Sequence, residues 1–257
     1  PICFGEAAKF ASALLDADKT YVATIRLGQV TSTGDAEGTI LDTRPVNVDS
    51  DQVVAALRRF VGEIQQVPPM HSAIKRNGTP LYVYAHKGLE VERVARTVTV
   101  YEISLLALRA DELDVRIRCS KGTYIRVLAE DIGGILSCGA HLKALRRTEI
   151  GSFNLGEAVT LEALESMAAE QRIACLKPVD SLLQALPEVT LDDASARALG
   201  QGQSVLATGV HLGQDVRLYG PARRFLGLGQ GAADGRVRPK RLLAVPAEFL
   251  PESRKFP

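Results

Sequence analysis

The sequence predicts an α+β fold, with a large domain of mixed strands and helices followed by a small β-barrel. Three patterns support this prediction. Side chains alternate between two faces over residues 20–27, apolar residues recur at helical spacing over residues 125–136, and short apolar runs separated by glycines fill the C-terminal part. The length of 257 residues suits one large and one small domain. A break near Pro178 divides the chain into domains 1–178 and 179–257.

The first third of the chain is predicted to contain a strand, a loop and a helix. Tyr21 lies on the more apolar face of the strand at residues 20–27. Residues 28–38 are rich in Thr, Ser, Gly and Asp and predict a loop. Asp49 and Gln52 have the spacing of a capping box, and apolar residues at helical spacing predict a helix that continues to Ile64.

The middle third is predicted to contain three strands and a second helix. Prolines end the preceding helical pattern, and the polar residues 72–78 predict an exposed loop. Strand-like runs follow at residues 96–101, 103–108 and 113–119. After Lys121-Gly122-Thr123 the apolar period becomes helical. A strand, a turn and a helix are therefore expected to meet at this point.

The C-terminal part is predicted to contain short helices and a small barrel. Thr160 can cap a helix that continues to Met167, and Asp192 can cap another that ends at Gly200. Short strands are predicted at residues 204–206, 216–219, 225–228 and 242–245. Strands this short and this closely spaced favour a barrel.

Composition favours a cytoplasmic protein. The formal net charge is +1 and 46% of the residues are hydrophobic, while no apolar run reaches the roughly 18 residues of a membrane span and no secretion signal opens the chain. The four cysteines form no C-x-x-C pair and do not suggest a disulfide framework. Because the sequence opens on the largely apolar Pro1-Ile2-Cys3-Phe4-Gly5 rather than on Met, we expect a fragment of a longer chain.

Charge is segregated along the chain despite the neutral total. Residues 116–147 carry seven basic and two acidic side chains, and residues 217–241 carry seven basic and one acidic. Residues 152–216, between them, carry nine acidic and three basic side chains. Either basic stretch alone could be an ordinary solvated surface. Two such stretches favour a polyanionic partner, because nucleic-acid binding depends on local positive potential.

The segment from Cys119 to Arg126 is the strongest chemical motif. A glycine turn before a helix presents N–H groups to an anion, and Lys121 and Arg126 add positive charge, so a phosphate is expected there. Tyr124 could stack on a base or ribose. The alternative is a core tyrosine beside a lysine at a helix start.

Other chemistries lack support in the sequence. Cys138 and His141 resemble half of a metal site, but no second pair has zinc-ligand spacing. No serine or cysteine has the context of a nucleophile elbow. The glycines at residues 227–231 do not form a dinucleotide fingerprint. We therefore expect no metal and no cofactor.

Motifs spread over the whole chain resemble bacterial tRNA pseudouridine synthase B, the TruB family. The resemblance is most specific over residues 1–147 and weakest in the C-terminal tail, which is similar to the family's small PUA-like RNA-binding domain. The matching segments are Pro1-Ile2-Cys3-Phe4-Gly5-Glu6-Ala7, Asp18-Lys19-Thr20-Tyr21, Arg26-Leu27-Gly28-Gln29, Pro68-Pro69-Met70 with Ser72-Ala73 and Lys75, Lys121 to Arg126, Gly139-Ala140-His141, and Leu145-Arg146-Arg147.

The resemblance implies a fold and a reaction. The fold is the pseudouridine synthase fold, a mixed α/β domain with a largely antiparallel sheet. The reaction is isomerisation of the T-loop uridine (uridine-55) of tRNA to pseudouridine, without metal or cofactor, by a monomer that binds the T-arm stem-loop. The base must be flipped out of its loop, since its glycosidic bond is otherwise inaccessible.

The resemblance also implies roles for individual residues. Tyr21 would pack against the flipped base, Tyr124 and Arg126 would complete the pocket floor, Arg126 would pair with the catalytic carboxylate, and Leu145 would line the pocket. Positions that would contact or hold RNA are Lys9, Lys19, Lys75, Lys121, His141, Arg146 and Arg147.

One departure from the family concerns the nucleophile. The family's aspartate belongs to a Gly-x-Leu-Asp-Pro motif just upstream of the segment that resembles Pro1 to Gly5, and these 257 residues do not contain that motif. A carboxylate is needed to attack the uridine. Asp35 and Asp131 match other family positions, and both are interpreted as structural hydrogen-bonding residues.

Three functions therefore remain open. The first is a tRNA pseudouridine synthase whose nucleophile belongs to a longer chain. The second is an inactive module that binds or folds the tRNA T-arm. Both predict RNA binding that weakens steeply with salt. The third is a soluble α/β protein without an RNA role, for which tRNA binding would be undetectable or independent of salt.

Overall fold

The computed structural model describes residues 1–244 of the chain, which form two compact units. The central unit comprises residues 16–157, and the terminal unit comprises residues 1–15 together with the chain from 158 onward. The domain boundary predicted near Pro178 lies inside the terminal unit, and it stays a prediction.

The helices and strands alternate along the chain. Short 3₁₀ helices occur at Gly5–Phe10, Leu155–Glu157, Val179–Leu183 and Pro221–Arg223. The α-helices are α1 (Ala13–Asp16), α2 (Ser50–Arg58), α3 (Leu81–His86), α4 (Ile125–Ile135), α5 (Leu161–Ser166), α6 (Ala169–Ala174) and α7 (Asp193–Gly200). The strands are β1 (Lys19–Leu27), β2 (Gln29–Thr31), β3 (Ile40–Thr43), β4 (Gly62–Gln66), β5 (Lys75–Arg76), β6 (Thr79–Pro80), β7 (Arg96–Arg109), β8 (Glu112–Cys119), β9 (Ala140–Ile150), β10 (Phe153–Asn154), β11 (Glu188–Thr190), β12 (Val205–Leu206), β13 (Asp215–Tyr219), β14 (Phe225–Gly231) and β15 (Arg236–Leu242).

The central unit is built on a six-stranded sheet in the order β10-β9-β1-β8-β7-β4. Every neighbouring pair in it is antiparallel, which confirms the largely antiparallel sheet. Helices α2 and α4 contribute Leu57 and Leu128 to one core with Ala23 and Ile25 of β1. Burial of this face fixes the register of β1, since a slip of one residue would turn the apolar side chains outward.

The terminal unit contains a five-stranded sheet in the order β11-β13-β14-β15-β12. Its core holds Leu199 of α7 and strand residues such as Val216 and Val237. This small β domain confirms the PUA-like C-terminal fold. The last predicted strand was wrong in position, because β15 ends at Leu242, and Val245 lies outside the described residues.

Local signals predicted most helix starts and some strands. Gln52 N–H donates to Asp49 Oδ1 (2.8 Å) and Asp49 N–H donates to Gln52 Oε1 (2.9 Å), which confirms the capping box of α2. The extension of this helix to Ile64 was wrong. Gly62 adopts a φ of +107°, and Ile64 lies in β4. The runs at 96–101 and 103–108 form one long strand, β7, and its pairing with β8 is irregular between Val100 and Glu102.

The segment predicted as an exposed loop, residues 72–78, is more structured than expected. Ser72 is buried, and Lys75 and Arg76 of β5 pair with β6. Leu81 N–H then donates to the Ile74 carbonyl oxygen (2.8 Å), which closes the hairpin. The polar composition indicated a turn correctly, but it did not indicate the pairing across the turn.

Candidate RNA-modification site

The turn between β8 and α4 places Tyr124 at the helix start. Gly122 has a φ of +80°, and Thr123 Oγ1 donates to the Ser120 carbonyl oxygen (3.0 Å). Tyr124 is the extended residue before the first turn of α4. Gln66 holds its backbone from both sides, because Tyr124 N–H donates to Gln66 Oε1 (3.0 Å) and Gln66 Nε2 donates to the Tyr124 carbonyl oxygen (3.3 Å). The aromatic residue is therefore fixed through its main chain.

Arg126, in the first turn of α4, joins three parts of the central unit. Its Nη1 donates to Asp35 Oδ2 (2.8 Å), and its Nη2 donates to the His71 carbonyl oxygen (2.9 Å). About a quarter of each side chain in the Arg126–Asp35 pair is exposed (24% and 22%). The guanidinium is thus held in one orientation by two partners from different loops.

Asp35 is held as an anion by its surroundings. Thr33 Oγ1 (2.6 Å) and Glu37 N–H (3.2 Å) donate to its Oδ1. Burial opposes ionisation, but the hydrogen bonds from Thr33 and Glu37 and the charge of Arg126 together lower the pKa of Asp35. The interpretation of Asp35 as a hydrogen-bonding residue is confirmed. The same interpretation was wrong for Asp131, whose side chain has no hydrogen bond among the described residues, and desolvation raises the pKa of its carboxyl.

The loop that carries Asp35 is fixed to β9. Leu142 N–H donates to the Gly34 carbonyl oxygen (2.9 Å), and Ala36 N–H donates to the Leu142 carbonyl oxygen (3.0 Å). Gly34 has a φ of +72°, and a Cβ there would lie 2.9 Å from the Glu130 carboxyl group. The positive φ therefore favours glycine at this point of the turn, and a larger residue would also displace the Glu130 side chain.

Strand pairing brings Tyr21, Leu145 and Arg147 to one face of the sheet. Tyr21 of β1 is opposite Arg147 of β9, and Ala23 is opposite Leu145. Directly opposed residues project from the same face, and Ala23 belongs to the core face. Tyr21 packs against the core, and Leu145 is 45% exposed. Burial raises the pKa of Tyr21, with the neighbouring Cys119 thiol adding to the effect and Arg147 opposing it.

The C-terminal end of β8 lies next to Tyr21 and leads into the turn that carries Tyr124. Tyr21 is also opposite Ile117, two residues before β8 ends at Cys119. The turn to Tyr124 starts directly after Cys119. Tyr21 and Tyr124 therefore lie at the same end of the sheet, with Leu145 and Arg147 on the strand beside β1.

The other residues predicted to bind RNA fall into different environments. Arg146 is opposite Val22 and therefore projects from the face away from Tyr21. Lys75 lies exposed on β5, and neither the Lys75 nor the Arg146 side chain has a hydrogen-bond or ion-pair partner within residues 1–244. Lys121 Nζ donates to Asp16 Oδ1 (2.5 Å). The RNA contacts of these residues stay predictions.

Three further predicted residues have structural partners. Lys9 lies in the terminal unit, where its Nζ donates to Glu6 Oε2 (2.7 Å) and to the Leu242 carbonyl oxygen (3.3 Å). Lys19 Nζ donates to the Ala17 carbonyl oxygen (2.6 Å). His141 is buried, and its Nδ1 is 3.1 Å from the Gln29 carbonyl oxygen.

The sequence reasoning missed Gln66, the His71 carbonyl group and Thr33. These groups support Tyr124, Arg126 and Asp35 across long separations or through the main chain, so no local motif identified them. A buried glutamine (2% exposed) at the end of an edge strand is unusual, but only the structure shows its partner.

Within the described part of the chain, no group of three or more His, Cys, Asp and Glu residues is arranged to hold a metal ion. Among residues 1–244, no helix combines the length and apolar character of a membrane span.

The antiparallel sheet and the small β domain are those of the pseudouridine synthase fold. Three family models match successive segments of the chain. They are TruB family pseudouridylate synthase (N terminal domain) over residues 1–125, tRNA pseudouridylate synthase B C-terminal domain over residues 126–184, and Pseudouridine synthase II TruB, C-terminal, over residues 187–243. The chain belongs to the TruB family.

Curated relatives agree with this assignment. The tRNA pseudouridine synthase B of Aromatoleum aromaticum is 53% identical over 247 residues, which cover 96% of this chain and 80% of the relative. The protein of the same name from Ralstonia nicotianae is 54% identical over 252 residues, covering 95% of this chain and 80% of the relative.

Solved structures share the fold. A chain in the crystal structure of a Cbf5-Nop10-Gar1 complex superposes with a TM-score of 0.69 at 27% identity, over 90% of this chain and 65% of that chain. A chain in an H/ACA RNP bound to a substrate RNA containing 2'-deoxyuridine also has a TM-score of 0.69, at 23% identity, over 97% of this chain and 73% of that chain.

Proposed function

We propose that this chain acts on the T-arm of tRNA and isomerises its T-loop uridine to pseudouridine by base flipping. The observation that carries the proposal is the double hydrogen bond of Arg126, to Asp35 and to the His71 carbonyl group, two residues after Tyr124. The fold and the relatives support the reaction class, and this geometry supports the place where a flipped base is bound.

Each pocket residue has a role that follows from its position. The Tyr21 and Tyr124 rings provide apolar surfaces for a planar base, and Leu145 adds an aliphatic one. A guanidinium has five N–H donors, and two of its nitrogens already hold Arg126 in place. The remaining donors can bind a further carboxylate, which fits the expected pairing with the nucleophile.

The reaction needs a carboxylate but no added reagent. Uridine and pseudouridine have the same atoms. The bond from the ribose to the base nitrogen is replaced by a bond to a base carbon, that carbon loses its proton, and the freed nitrogen gains one. An attacking carboxylate divides this exchange into two easier steps. We therefore propose that the enzyme needs neither a metal nor an organic cofactor.

The cellular setting belongs to the same proposal. The four cysteines are all free thiols, as expected in a reducing cytoplasm where tRNA is modified. We propose a monomer, and we propose that residues 179–257 form a PUA-like RNA-binding domain beside a catalytic domain at 1–178.

A second function is favoured by one observation. Asp35 contacts Arg126 directly, but both of its oxygens are already engaged, by Thr33, Glu37 N–H and Arg126. An engaged carboxylate with a lowered pKa is a poor nucleophile. A module that binds the T-arm without chemistry fits this arrangement.

One experiment separates the two functions. Single-turnover formation of pseudouridine is measured with this 257-residue chain and an unmodified T-arm stem-loop, and retention of the RNA is recorded in the same sample. Product supports the synthase and identifies a nucleophile within the chain, to be located with Asp35→Asn and Asp131→Asn. Retention without product means that the pocket binds RNA and that no carboxylate among these 257 residues is the nucleophile. The assay is then repeated with a chain extended by the Gly-x-Leu-Asp-Pro motif, where product supports the synthase and its absence supports the binding module. If the RNA is not retained and no pseudouridine forms, both functions are contradicted.

A further inference from the structure

A small basic cleft lies within residues 68–96 of the central unit, separate from the proposed base pocket. Its volume is about 250 Å³. Pro68 and Leu81, both buried, and the half-buried Ile74 form its apolar lining. Cavities for drug-sized ligands measure about 300–1,000 Å³, so this cleft suits a smaller group such as one nucleobase.

The side chains that line the cleft carry more positive than negative charge. Four cations, Lys75, Arg76, Arg93 and Arg96, line the cleft, and Glu92 is the one acidic residue among its lining. The Glu92 side chain is 87% exposed and lies 3.9 Å from Arg76. The net positive charge around an apolar lining matches a ligand with a planar apolar part and an anionic part.

Two of the four cations are hydrogen-bonded to the main chain around the cleft, and the other two are free to bind a ligand. Arg93 donates to the Pro68 carbonyl oxygen (3.2 Å), which ties the two ends of the segment together, and Arg76 donates to the Glu92 carbonyl oxygen. Lys75 and Arg96 have no side-chain hydrogen bond or ion pair with any of residues 1–244. A phosphate could therefore be bound without breaking an existing pair.

The cleft is linked to the proposed base pocket through the chain. The segment that lines it includes His71, whose carbonyl oxygen accepts a hydrogen bond from Arg126. An RNA loop that places one base near Arg126 would present its neighbouring nucleotides to this segment.

We propose that this cleft is a second nucleotide subsite, which holds one unstacked nucleotide of the RNA loop other than the nucleotide that is modified. The base lies on Pro68, Ile74 and Leu81, and the phosphate pairs with Lys75 and Arg96. This proposal rests on the proposed function, because it requires that the chain bind a T-arm.

The test uses two matched variants of the 257-residue chain. Val94 lines the cleft and is 78% exposed, and Leu89 lies in the same segment, outside the cleft lining, and is 53% exposed. Val94→Asp and Leu89→Asp add the same charge at exposed positions, so neither disturbs the core. Affinity for a T-arm stem-loop is measured for both, and circular dichroism checks that both fold.

The subsite predicts a difference between the variants. Val94→Asp is expected to weaken binding about tenfold more than Leu89→Asp, because only the first places a carboxylate beside the bound phosphate. Equal weakening would show general repulsion of RNA and would overturn the subsite.

A scan of the RNA identifies the base. Stem-loops with one abasic nucleotide at each loop position are compared, and loss of a stacked base is expected to weaken binding at least about fivefold. One position besides the target uridine should show this loss with the wild-type chain and not with Val94→Asp. A scan in which only the target uridine matters contradicts the proposal.

Two remaining outcomes are also decisive. If free uridine monophosphate binds the cleft more tightly than the RNA does, and Val94→Asp abolishes that binding, the cleft belongs to a free nucleotide and the proposal fails. If the wild-type chain binds no T-arm RNA at all, the proposed function fails together with the subsite.

Discussion

The two basic stretches of the sequence, residues 116–147 and 217–241, have equal numbers of cations but differ in how many are free. In the second stretch, Arg217 and Arg223 pair with Glu188, Lys240 pairs with Asp215, and Arg236 pairs with Asp234. Arg238 donates to Gln230, Arg241 donates to the Lys9 carbonyl oxygen, and Arg224 also has a partner.

Both stretches keep arginines without a carboxylate partner, but in the second stretch Arg238 and Arg241 are held by other hydrogen bonds, whereas Arg146 of the first has no side-chain partner among residues 1–244. Arg116, Arg118, Lys121, Arg126 and Lys143 each pair with a carboxylate. Arg146 and Arg147 pair with none among the described residues. Counting charges along a sequence therefore overestimates positive surface, because cations that face carboxylates across strands contribute little potential to a distant polyanion. We expect RNA affinity to depend on the first stretch more than on the second.

The largest expected effect concerns two arginines that each bridge two acceptor atoms. In Arg126→Lys, one ammonium cannot reach both Asp35 and the His71 carbonyl group, and a half-buried acceptor loses its partner. The free energy of unfolding should fall by about 1–3 kcal/mol. The control, Arg223→Lys, alters an exposed pair and should leave the urea midpoint unchanged. Equal midpoints for both variants would contradict the structural role of Arg126.

The second prediction concerns RNA affinity directly. Arg147→Ala should weaken T-arm binding about tenfold, and the slope of log affinity against log salt should decrease by about 0.7 to 0.9 for one lost phosphate contact. Arg238→Ala, in the second stretch, should change affinity less than about twofold. A larger effect at Arg238 than at Arg147 would reverse the comparison between the stretches.

The third prediction concerns pH. The pKa of Asp35 is lowered in the folded state, so its ionised form stabilises the fold above its unfolded value of 3.8, and this contribution is lost as pH falls through the folded pKa. Asp35→Asn should therefore be less stable than wild type at pH 6, and the difference should be smaller at a pH well below 3.8. Denaturant titrations at both pH values measure it. A difference that is constant with pH would exclude ionisation of Asp35 as the cause.

The smallest expected effect tests whether a paired cation can be released. Asp16→Asn removes the carboxylate that Lys121 Nζ contacts. If Lys121 can also contact phosphate, as the resemblance implies, RNA binding should tighten two- to threefold in low salt and become equal to wild type in high salt. Asp51→Asn, which removes an exposed carboxylate from α2, is the matched control. If RNA binding tightens equally in both variants, the cause is the change in net charge and not the release of Lys121.

Local sequence patterns predicted the parts of the fold that local physics determines. The caps at Asp49, Thr160 and Asp192 are confirmed, since a side-chain acceptor and a nearby N–H suffice. Strand β9 was not predicted, because residues 143–147 are all exposed and show no alternation of apolar and polar side chains. Its strand form depends on pairing with β1, more than a hundred residues away in sequence.

The same distinction applies to the site. Tyr124 and Arg126 stood out because a glycine turn precedes a helix. The contact of Arg126 with Asp35 joins residues 91 positions apart, and no spacing rule predicts such a pair. Arg146 and Arg147 were treated as equivalent until the register placed them on opposite faces of the sheet.

The amide of Gln66 has a consequence for how this position can evolve. It supplies one donor and one acceptor to the main chain of Tyr124, as a neighbouring strand would. Glutamate has the same shape but no donor when ionised, and leucine has neither group. Substitution of Gln66 by a residue of similar size therefore loses at least one of these hydrogen bonds. Natural diversity at position 66 should be narrower than at exposed positions of the same strand, such as Glu63 and Gln65.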